Sequence, residues 1–406
     1  MKKVAIIGGG AAGFFLAINL KEKCPQAKVT ILERASRVLR KVEVSGGGRC
    51  NVTNTFEGIR DLREVYPRGY RLLGRLFRRF DQRQAWEWFE QRGVRLVAQT
   101  DHCVFPQSQD AHTIINLFVG EARRLGIEVR TGCAVGSLDE LSDYDNVCVT
   151  TGGQPLRDGL LWLGQDIVEP VPSLFTLSIG DAALTQLSGT VVPIPGMGLE
   201  AVASPSIMIP GTKLRAEGPL LITHWGMSGP VILRLSSYAA RHLADAGYRS
   251  PLLVNWCGTT EAEVVEAVSA MSRECGQRLI TTVAPCGLPL RLWHYLAEKA
   301  LGERAHAPWN SLNAKESRRL VNVLTTDEYL TTGRAPHRDE FVTCGGVALA
   351  EVNPNTLESR TRPGLFFAGE VLDIDGITGG FNFQAAWTTA YVAADAIASD
   401  PATHLL

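Results

Sequence analysis

Short all-apolar runs alternate along this chain with longer stretches in which apolar residues recur at helical spacing. Val4-Ala5-Ile6-Ile7 and Val29-Thr30-Ile31-Leu32 are runs of the kind that strands buried on both faces require. Between them Ala11 to about Lys23 reads as a helix, so the chain opens with a strand, a helix and a parallel strand. Asp81 caps a helix carrying Ala85, Trp86, Trp88 and Phe89 and stopping at Gly93, with a strand at Val94 to Val97 and a turn closed by Val104-Phe105-Pro106. A helix from Ala111 to Leu125 and strands at Ile127 to Arg130 and Val147 to Thr150 repeat the first unit's logic.

From Glu169 to about Cys257 the pattern shifts to brief apolar segments broken by Pro and Gly, such as Val191 to Pro195 and Ser206 to Pro210, which predicts antiparallel strands of a separate β domain. Gly196-Met197-Gly198-Leu199-Glu200-Ala201 imitates a nucleotide turn there, without the strand before it or the helix after it, and reads as an accident. Ser228 and Pro230 are start signals for a helix from Val231 to Leu243. Thr260 with Glu263 and Asn313 with Glu316 fit capping boxes. Helices follow at Glu261 to Cys275, Leu288 to Leu301 and Ala314 to Leu324, a helical module closed by Gly333-Arg334-Ala335-Pro336 and suited to cap the substrate side. The α/β character returns with Phe341 to Val347, a buried strand at Leu365 to Ala368 and a helix from Asn382 to Ala398.

With 406 residues, 45% hydrophobic and 20% charged, the chain is globular and long enough for two or three domains. Lys plus Arg, 41, balance Asp plus Glu, 42, so the overall charge favours neither nucleic acid nor an anionic membrane. The basic run from Arg68 to Arg83, set around Leu72, Leu73, Leu76 and Phe77, reads as the solvated side of an amphipathic helix. Met1-Lys2-Lys3 runs straight into the first strand, leaving no room for a signal peptide, and no apolar run reaches about 18 residues. A cytoplasmic protein is expected. Nine cysteines without a Cys-x-x-Cys pair argue against a disulfide framework, a metal site or a dithiol redox pair, and predict mostly buried thiols.

The chemistry concentrates in the first unit. Gly8-Gly9-Gly10-Ala11-Ala12-Gly13 is Gly-x-Gly-x-x-Gly directly after a strand and at the start of a helix. Gly8 serves the tight turn, Gly10 clears space for a diphosphate at the helix N-terminus, and Gly13 lets helix and strand approach. Glu33, 20 residues after Gly13, ends the second strand where a carboxylate accepts both ribose hydroxyls and repels a 2′-phosphate, which points to FAD or NAD and not NADP. Arg40 to Asn54, with Ser45, Gly46, Gly47, Arg49, Cys50 and Asn51, reads as a loop able to lie against a flat ring or a phosphate. Gly132 to Val135 follows a strand at the place that suits an adenine ring, and Thr151-Gly152-Gly153 is a second small-residue turn. Gly369 and Glu370 after the Leu365 strand, then Asp375 and Gly379-Gly380 before the last helix, form a second nucleotide-facing unit. FAD is long enough to need both units, which separates it from NAD.

Taken together, GGGAAG at 8–13, RKxxxSGGGRCNxTN at 40–54, THWGMSGP at 223–230, TCGGV at 343–347 and GLFFAGEVLDIDGITGGFNFQAAW at 364–387 resemble the bacterial flavoprotein family that includes aminoacetone oxidase and the BaiN-type flavin oxidoreductases. The resemblance spans the chain. It implies an α/β fold: a discontinuous FAD/NAD(P)-binding Rossmann-like domain of the glutathione-reductase type, 1–168 and 340–406, interrupted by a β-barrel-like domain, 169–258, and a small helical cap domain, 259–339. It also implies FAD held at Gly8, Gly10, Gly13, Glu33, Lys41, Ser45, Gly46, Arg49, Val135, Thr151, Gly369, Glu370, Gly380 and Asn382. Ala11, Ala12, Arg34, Gly47, Asn51, Gly152, Asp375 and Phe381 join them as neighbouring cofactor-binding candidates. The chain departs from the family pattern in the short segment from Gly152 to Gly159.

The expected activity is FAD-dependent hydride transfer to or from a small organic substrate, with NADH or NADPH as candidate transient donor. A flavin-dependent RNA-modifying enzyme and a flavin-binding protein without turnover stay open as alternatives, and the oligomeric state is undetermined. For a proton donor or substrate anchor the candidates are His224, whose residue type titrates near neutral pH, and Cys50, a thiol whose neighbour Arg49 would favour its ionised form.

Overall fold

The computed structural model describes residues 1–193, 204–335 and 342–399; the imitation turn at 196–201, Pro336, Phe341 and the 339/340 boundary lie outside them. The chain divides into two compact units, one formed by Met1–Pro172 with Val342–Leu406 and the other by Ser173–Phe341.

In the first unit a five-stranded sheet has the order Leu365–Phe367, Asn146–Val149, Lys3–Ile7, Lys28–Leu32, Glu128–Arg130, and every neighbouring pair is parallel. The inner strands Lys3–Ile7 and Lys28–Leu32 are buried beyond their first residue, which is why their sequences are almost wholly apolar. Because all strands point the same way, Gly8, Glu33, Thr150 and Ala368 reach one edge of the sheet together. The Ala11–Lys23 helix packs against the Phe381–Ser399 helix, itself small and apolar nearly all round. Phe15 is the hub of an aromatic core, 4.4 Å from Trp88 and 5.1 Å from Trp387 between ring centroids. The last helix thus begins and ends close to where the sequence places it.

Three local expectations change. Arg40–Gly48 begins as a helical turn after Leu39, and only Ser45, Gly46 and Gly47 leave helical geometry. Val104–Pro106 does not close a turn: Cys103–Pro106 is the middle strand of a small antiparallel sheet between Thr53–Asn54 and Leu96–Ala98. Arg68 is not solvated, as described below.

The second unit holds an eight-stranded antiparallel sheet in the order Val191–Val192, Leu220–Thr223, Gly226–Ser228, Leu177–Ile179, Asp327–Arg334, Pro251–Asn255, Ser206–Met208, Arg215–Glu217. From Ser173 onward the segments expected as β-barrel-like and helical lie in this unit, 169–172 lying in the first, and they share a hydrophobic cluster that includes Trp256, Trp293 and Trp309. Both capping boxes form, Thr260 with Glu263 and Asn313 with Glu316, opening Glu261–Glu274 and Ala314–Thr325. Ser228 is not a helix cap; its hydroxyl bonds Thr176, Gly229 takes the cap position, and the helix breaks at Ala239 into Pro230–Tyr238 and Ala240–Asp245. The eight-residue Asp327–Arg334 strand stands where only helix was expected, because its buried face is Asp327, Tyr329 and Thr331 while Leu330 is 58% exposed, the reverse of an amphipathic strand.

Candidate functional site

At the carboxyl edge of the parallel sheet, Gly8 has φ +109° and an added Cβ would lie 2.5 Å from the Thr150 carbonyl oxygen, so only glycine closes this turn. At Gly13 an added Cβ would lie 2.1 Å from the Gly8 carbonyl oxygen. Gly10 differs: nothing lies within 4 Å of its Cβ position. The helix that follows has no side-chain cap and no acid in its first turn, leaving its N–H groups and positive dipole end open to an anion. Helix packing therefore accounts for Gly13, whereas Gly10 borders open space of the kind a diphosphate fills.

Glu33 stands beside this turn, accepting the Gly9 N–H through Oε2 at 2.7 Å and the Ala35 N–H through Oε1 at 2.8 Å. Beyond the ribose role expected of it, the carboxylate shapes the loop, and each oxygen keeps a second lone pair for a hydroxyl. Arg34 next to it is exposed. Val135 is half-buried past the end of the outer strand, where the Cys133 N–H donates to the Glu33 carbonyl at 2.9 Å. Thr151, in the turn after Val149, has a buried Oγ1 with no hydrogen-bond partner, and Gly152 has φ +73°. An orphaned hydroxyl at the same edge fits a group that the protein alone does not supply.

The chain's two ends meet in this unit. Lys41 Nζ lies 2.8 Å from Glu370 Oε2, while Glu370 Oε1 accepts the Thr343 N–H at 2.9 Å. Burial pushes the Glu370 carboxyl up, but Lys41 together with the Thr343 and Gly153 N–H groups holds it below its ordinary value. Gly369, at φ +77°, brings its backbone against Ala12 of the first helix. In the glycine-rich loop the Ser45 hydroxyl donates to the Val42 carbonyl, and Arg49 donates to the Gly46 carbonyl while lying 4.1 Å over the Phe105 ring. Gly47 and Gly48 have no neighbour within 4 Å of their Cβ positions, and Leu39 and Cys50, both non-glycine residues in left-handed geometry, bracket the loop.

Four candidates shape the site through backbone organisation. Asn51, oriented to satisfy its neighbours, donates to the Thr53 carbonyl and accepts the Gly380 N–H. The Asn382 side chain accepts the Gly376 N–H at 2.8 Å and donates to the Gly376 carbonyl at 2.9 Å, tying the turn that precedes the last helix. Asp375 is 0% exposed and paired with Arg68, and the Phe381 carbonyl accepts the Tyr66 hydroxyl at 2.8 Å. Tyr66 was not singled out from the sequence and Arg68 was read only as a solvated cation; their partners lie 315 and 307 positions away, beyond any local pattern.

Cys50 is fully buried, and burial pushes its thiol up to about 12, against a smaller opposite effect of Ser45. Burial thus runs against the partly ionised thiol expected beside Arg49. His224 lies in the second unit, exposed in the turn between Leu220–Thr223 and Gly226–Ser228. Its ring stands 4.8 Å from that of Trp225, which is 38% exposed, and both border an open cleft with Ser178, Asp181, Thr185 and Arg334. Asp181 is held there by the Tyr295 hydroxyl at 2.7 Å, a contact with no sequence signature. Among the described residues no group of His, Cys, Asp and Glu could hold a metal ion, and no helix is long and apolar enough to cross a membrane.

The chain is similar along its whole length to proteins of known activity. It is 27% identical to the 3-dehydro-bile acid delta(4,6)-reductase of Clostridium scindens over 99% of this chain and 100% of that one. It is also 27% identical to the ribosomal RNA dihydrouridine synthases of Haemophilus influenzae and Escherichia coli, over 96% of this chain and 96% of theirs in each case. The HI0933-like protein Rossmann domain matches residues 2–396, and the chain belongs to that family.

Proposed function

We propose that this chain is an FAD-dependent oxidoreductase that reduces a carbon–carbon double bond conjugated to a carbonyl. The observation that carries the cofactor is the open space at Gly10, facing an uncapped helix N-terminus at the edge that also bears Glu33, Thr151 and Glu370. Gly8, Gly10, Ala11 and Ala12 take the diphosphate, Glu33 the adenosine ribose, and the Lys41, Ser45 to Asn51 and Gly369 to Asn382 segments the remainder. When bound, FAD supplies hydride chemistry.

The substrate class follows from what the relatives' names share. A 3-oxo bile acid with Δ4 and Δ6 double bonds and the uracil ring of uridine both contain C=C joined to C=O, and both names, a delta(4,6)-reductase and a dihydrouridine synthase, denote reduction of such a bond. Such a reduction places a hydride on one carbon and a proton on the other, with NADH or NADPH replacing the two electrons. His224 is proposed to donate that proton or anchor the carbonyl, since it is exposed at the rim of a cleft that also offers Trp225 as an apolar face.

The test is anaerobic reduction of FAD-loaded protein by NADH and NADPH, followed by a cyclic enone, a uridine oligonucleotide or air. Flavin bleaching by one nucleotide and reoxidation by an enone or by uridine, with the saturated product found by mass spectrometry, supports the reading. Reoxidation by air alone would sink it.

A further inference from the structure

We infer that Arg71 and Arg75 on the exposed face of the Tyr70–Leu76 helix, with Arg78 in the turn that follows it, bind the phosphate backbone of an RNA whose uracil is the reduced substrate. This inference rests on the conjugated-double-bond reading above and selects between its two substrate types.

The balanced charge of the chain conceals a strong segregation. Residues 34–83 hold 13 of the 41 Lys and Arg but only 5 of the 42 Asp and Glu. Some of these cations are accounted for by the fold: Arg68 pairs with Asp375, Arg79 with Asp395 and Arg63 with Asp61. Arg71, Arg75 and Arg78 are exposed and meet no carboxylate among the described residues. Arg71 donates to its neighbour's Tyr70 hydroxyl at 3.2 Å, and Arg75 to the neutral side chain of Asn355 at 3.2 Å.

Arg71 and Arg75, four residues apart, share one side of the helix, Leu72, Leu73 and Leu76 on the other side are buried, and Arg78 follows, exposed, in the turn after Leu76. A merely solvated helix surface intersperses acids at such spacings, because like charges four residues apart repel. Here Arg71 and Arg75 stand in that unfavourable relation with no acid to relieve it, an arrangement that a polyanion stabilises. Guanidinium forks also match phosphate oxygens in pairs.

The placement ties this face to the cofactor site. Arg68 and Gly69, immediately before the helix, pack on Asp375 and Ile374, and Tyr66 bonds the Phe381 carbonyl. An RNA held along Arg71, Arg75 and Arg78 therefore starts near the turn that opens the last helix of the cofactor-binding unit and runs toward Asn355 and Asp395, which Arg75 and Arg79 contact.

The experiment measures binding of FAD-loaded protein to a labelled uridine-containing RNA stem-loop by fluorescence anisotropy between 50 and 200 mM salt. The combined Arg71→Gln, Arg75→Gln, Arg78→Gln variant should lose roughly tenfold or more in affinity and flatten the log–log salt slope by about 2 to 3. Its FAD content and its reoxidation by a small enone should match the parent. Where that variant fails to fold, Arg78→Glu alone should still weaken RNA binding, and Arg78→Lys should restore most of it. No RNA binding by the parent below about 100 µM at 50 mM salt, or equal affinity and slope in the variants, overturns the inference. Failure of RNA binding with enone reduction intact removes this inference and leaves the proposed function standing; RNA binding without reduction of any conjugated double bond does the opposite.

Discussion

Lys41 Nζ and Glu370 Oε2 lie 2.8 Å apart although 329 residues separate them, so one ion pair fastens the glycine-rich loop near the start of the chain to the turn near its end. Glu370 is only 18% exposed in its side chain, and without Lys41 its charge would rest on backbone N–H donors alone. Glu370→Gln should lower the unfolding free energy by about 1–3 kcal/mol, the range for charge-assisted hydrogen bonds. The folded-state carboxyl lies below its ordinary value, so its contribution is present above the unfolded pKa of about 4.3 and disappears as pH falls through the folded value. Urea titrations at pH 7 and pH 3 should show a gap between parent and variant that is smaller at the lower pH.

Arg68 and Asp375 pose a sharper case, because both partners are sequestered and Asp375 has no solvent exposure. Asp375→Ala leaves a buried guanidinium facing a void and should destabilise the protein by about 3–5 kcal/mol. Since the pair fixes the turn before the last helix, FAD affinity should fall in the same variant. Chemical unfolding and flavin titration check the two effects separately, and unchanged unfolding would show that the pair adds nothing to stability.

What the sequence reveals here follows the range over which each interaction acts. Gly8, Gly10, Gly13 and Glu33 are legible because the turn, the close approach and the acid act within one supersecondary unit, and the capping boxes at Thr260 and Asn313 close within three residues. The Lys41–Glu370 and Arg68–Asp375 contacts depend on the fold bringing distant segments together, and no spacing rule reports them. The Asp327–Arg334 strand was concealed because Asp327 is buried by bonds to Lys299 and the Trp256 indole, so a polar residue occupies a core position. At Arg40–Val44 the following glycines dominated the reading and masked a short helical turn. Cys50 was misread for a related reason: its charged neighbour is visible in the sequence, whereas its burial is not.

Gly10 and Gly13 should behave oppositely on substitution. Gly13→Ala drives a Cβ into the Gly8 carbonyl oxygen and should destabilise the fold by about 1–3 kcal/mol, as overpacking does. Gly10→Val meets open space and should leave the apoprotein's unfolding within about 1 kcal/mol of the parent, yet weaken FAD by roughly tenfold to a hundredfold by occupying the diphosphate's place. Thermal unfolding of the apoproteins beside FAD titration separates the two. Equal FAD affinity in parent and Gly10→Val would remove the diphosphate from this turn.

Cys50 should behave as an inert thiol. Its folded-state value is pushed up to about 12 by burial, so protonation favours the fold; that stabilisation is complete below the unfolded value of about 8.5 and is lost as pH rises toward the folded one. Thiol reagents at pH 8 should label Cys50 only after denaturation, as peptide mapping by mass spectrometry would reveal. Cys50→Ala should reduce and reoxidise at the parental rate. Rapid native labelling at Cys50 would contradict the burial on which this rests.

His224 is the remaining candidate for the proton that accompanies hydride addition. Its turn is built by a tight antiparallel pair in which Gly226, at φ +147°, has no room for a Cβ against the Ile179 N and the Leu177 carbonyl, so the backbone that carries His224 is closely packed. The side chain itself is exposed, and its removal leaves no cavity in the core. His224→Ala should therefore unfold like the parent and accept electrons from NADH or NADPH at the parental rate, because that half-reaction needs no proton at the substrate. Reoxidation by an enone should slow by about 10²- to 10⁴-fold, the usual contribution of a positioned general acid. His224→Gln, which can still hydrogen-bond a carbonyl but cannot donate a proton at neutral pH, separates anchoring from proton transfer: recovery of the rate assigns His224 to substrate anchoring, and a rate as low as alanine's assigns it to the acid. Stopped-flow traces of both half-reactions provide the measurement, and a parental reoxidation rate in both variants would exclude His224 from the chemistry.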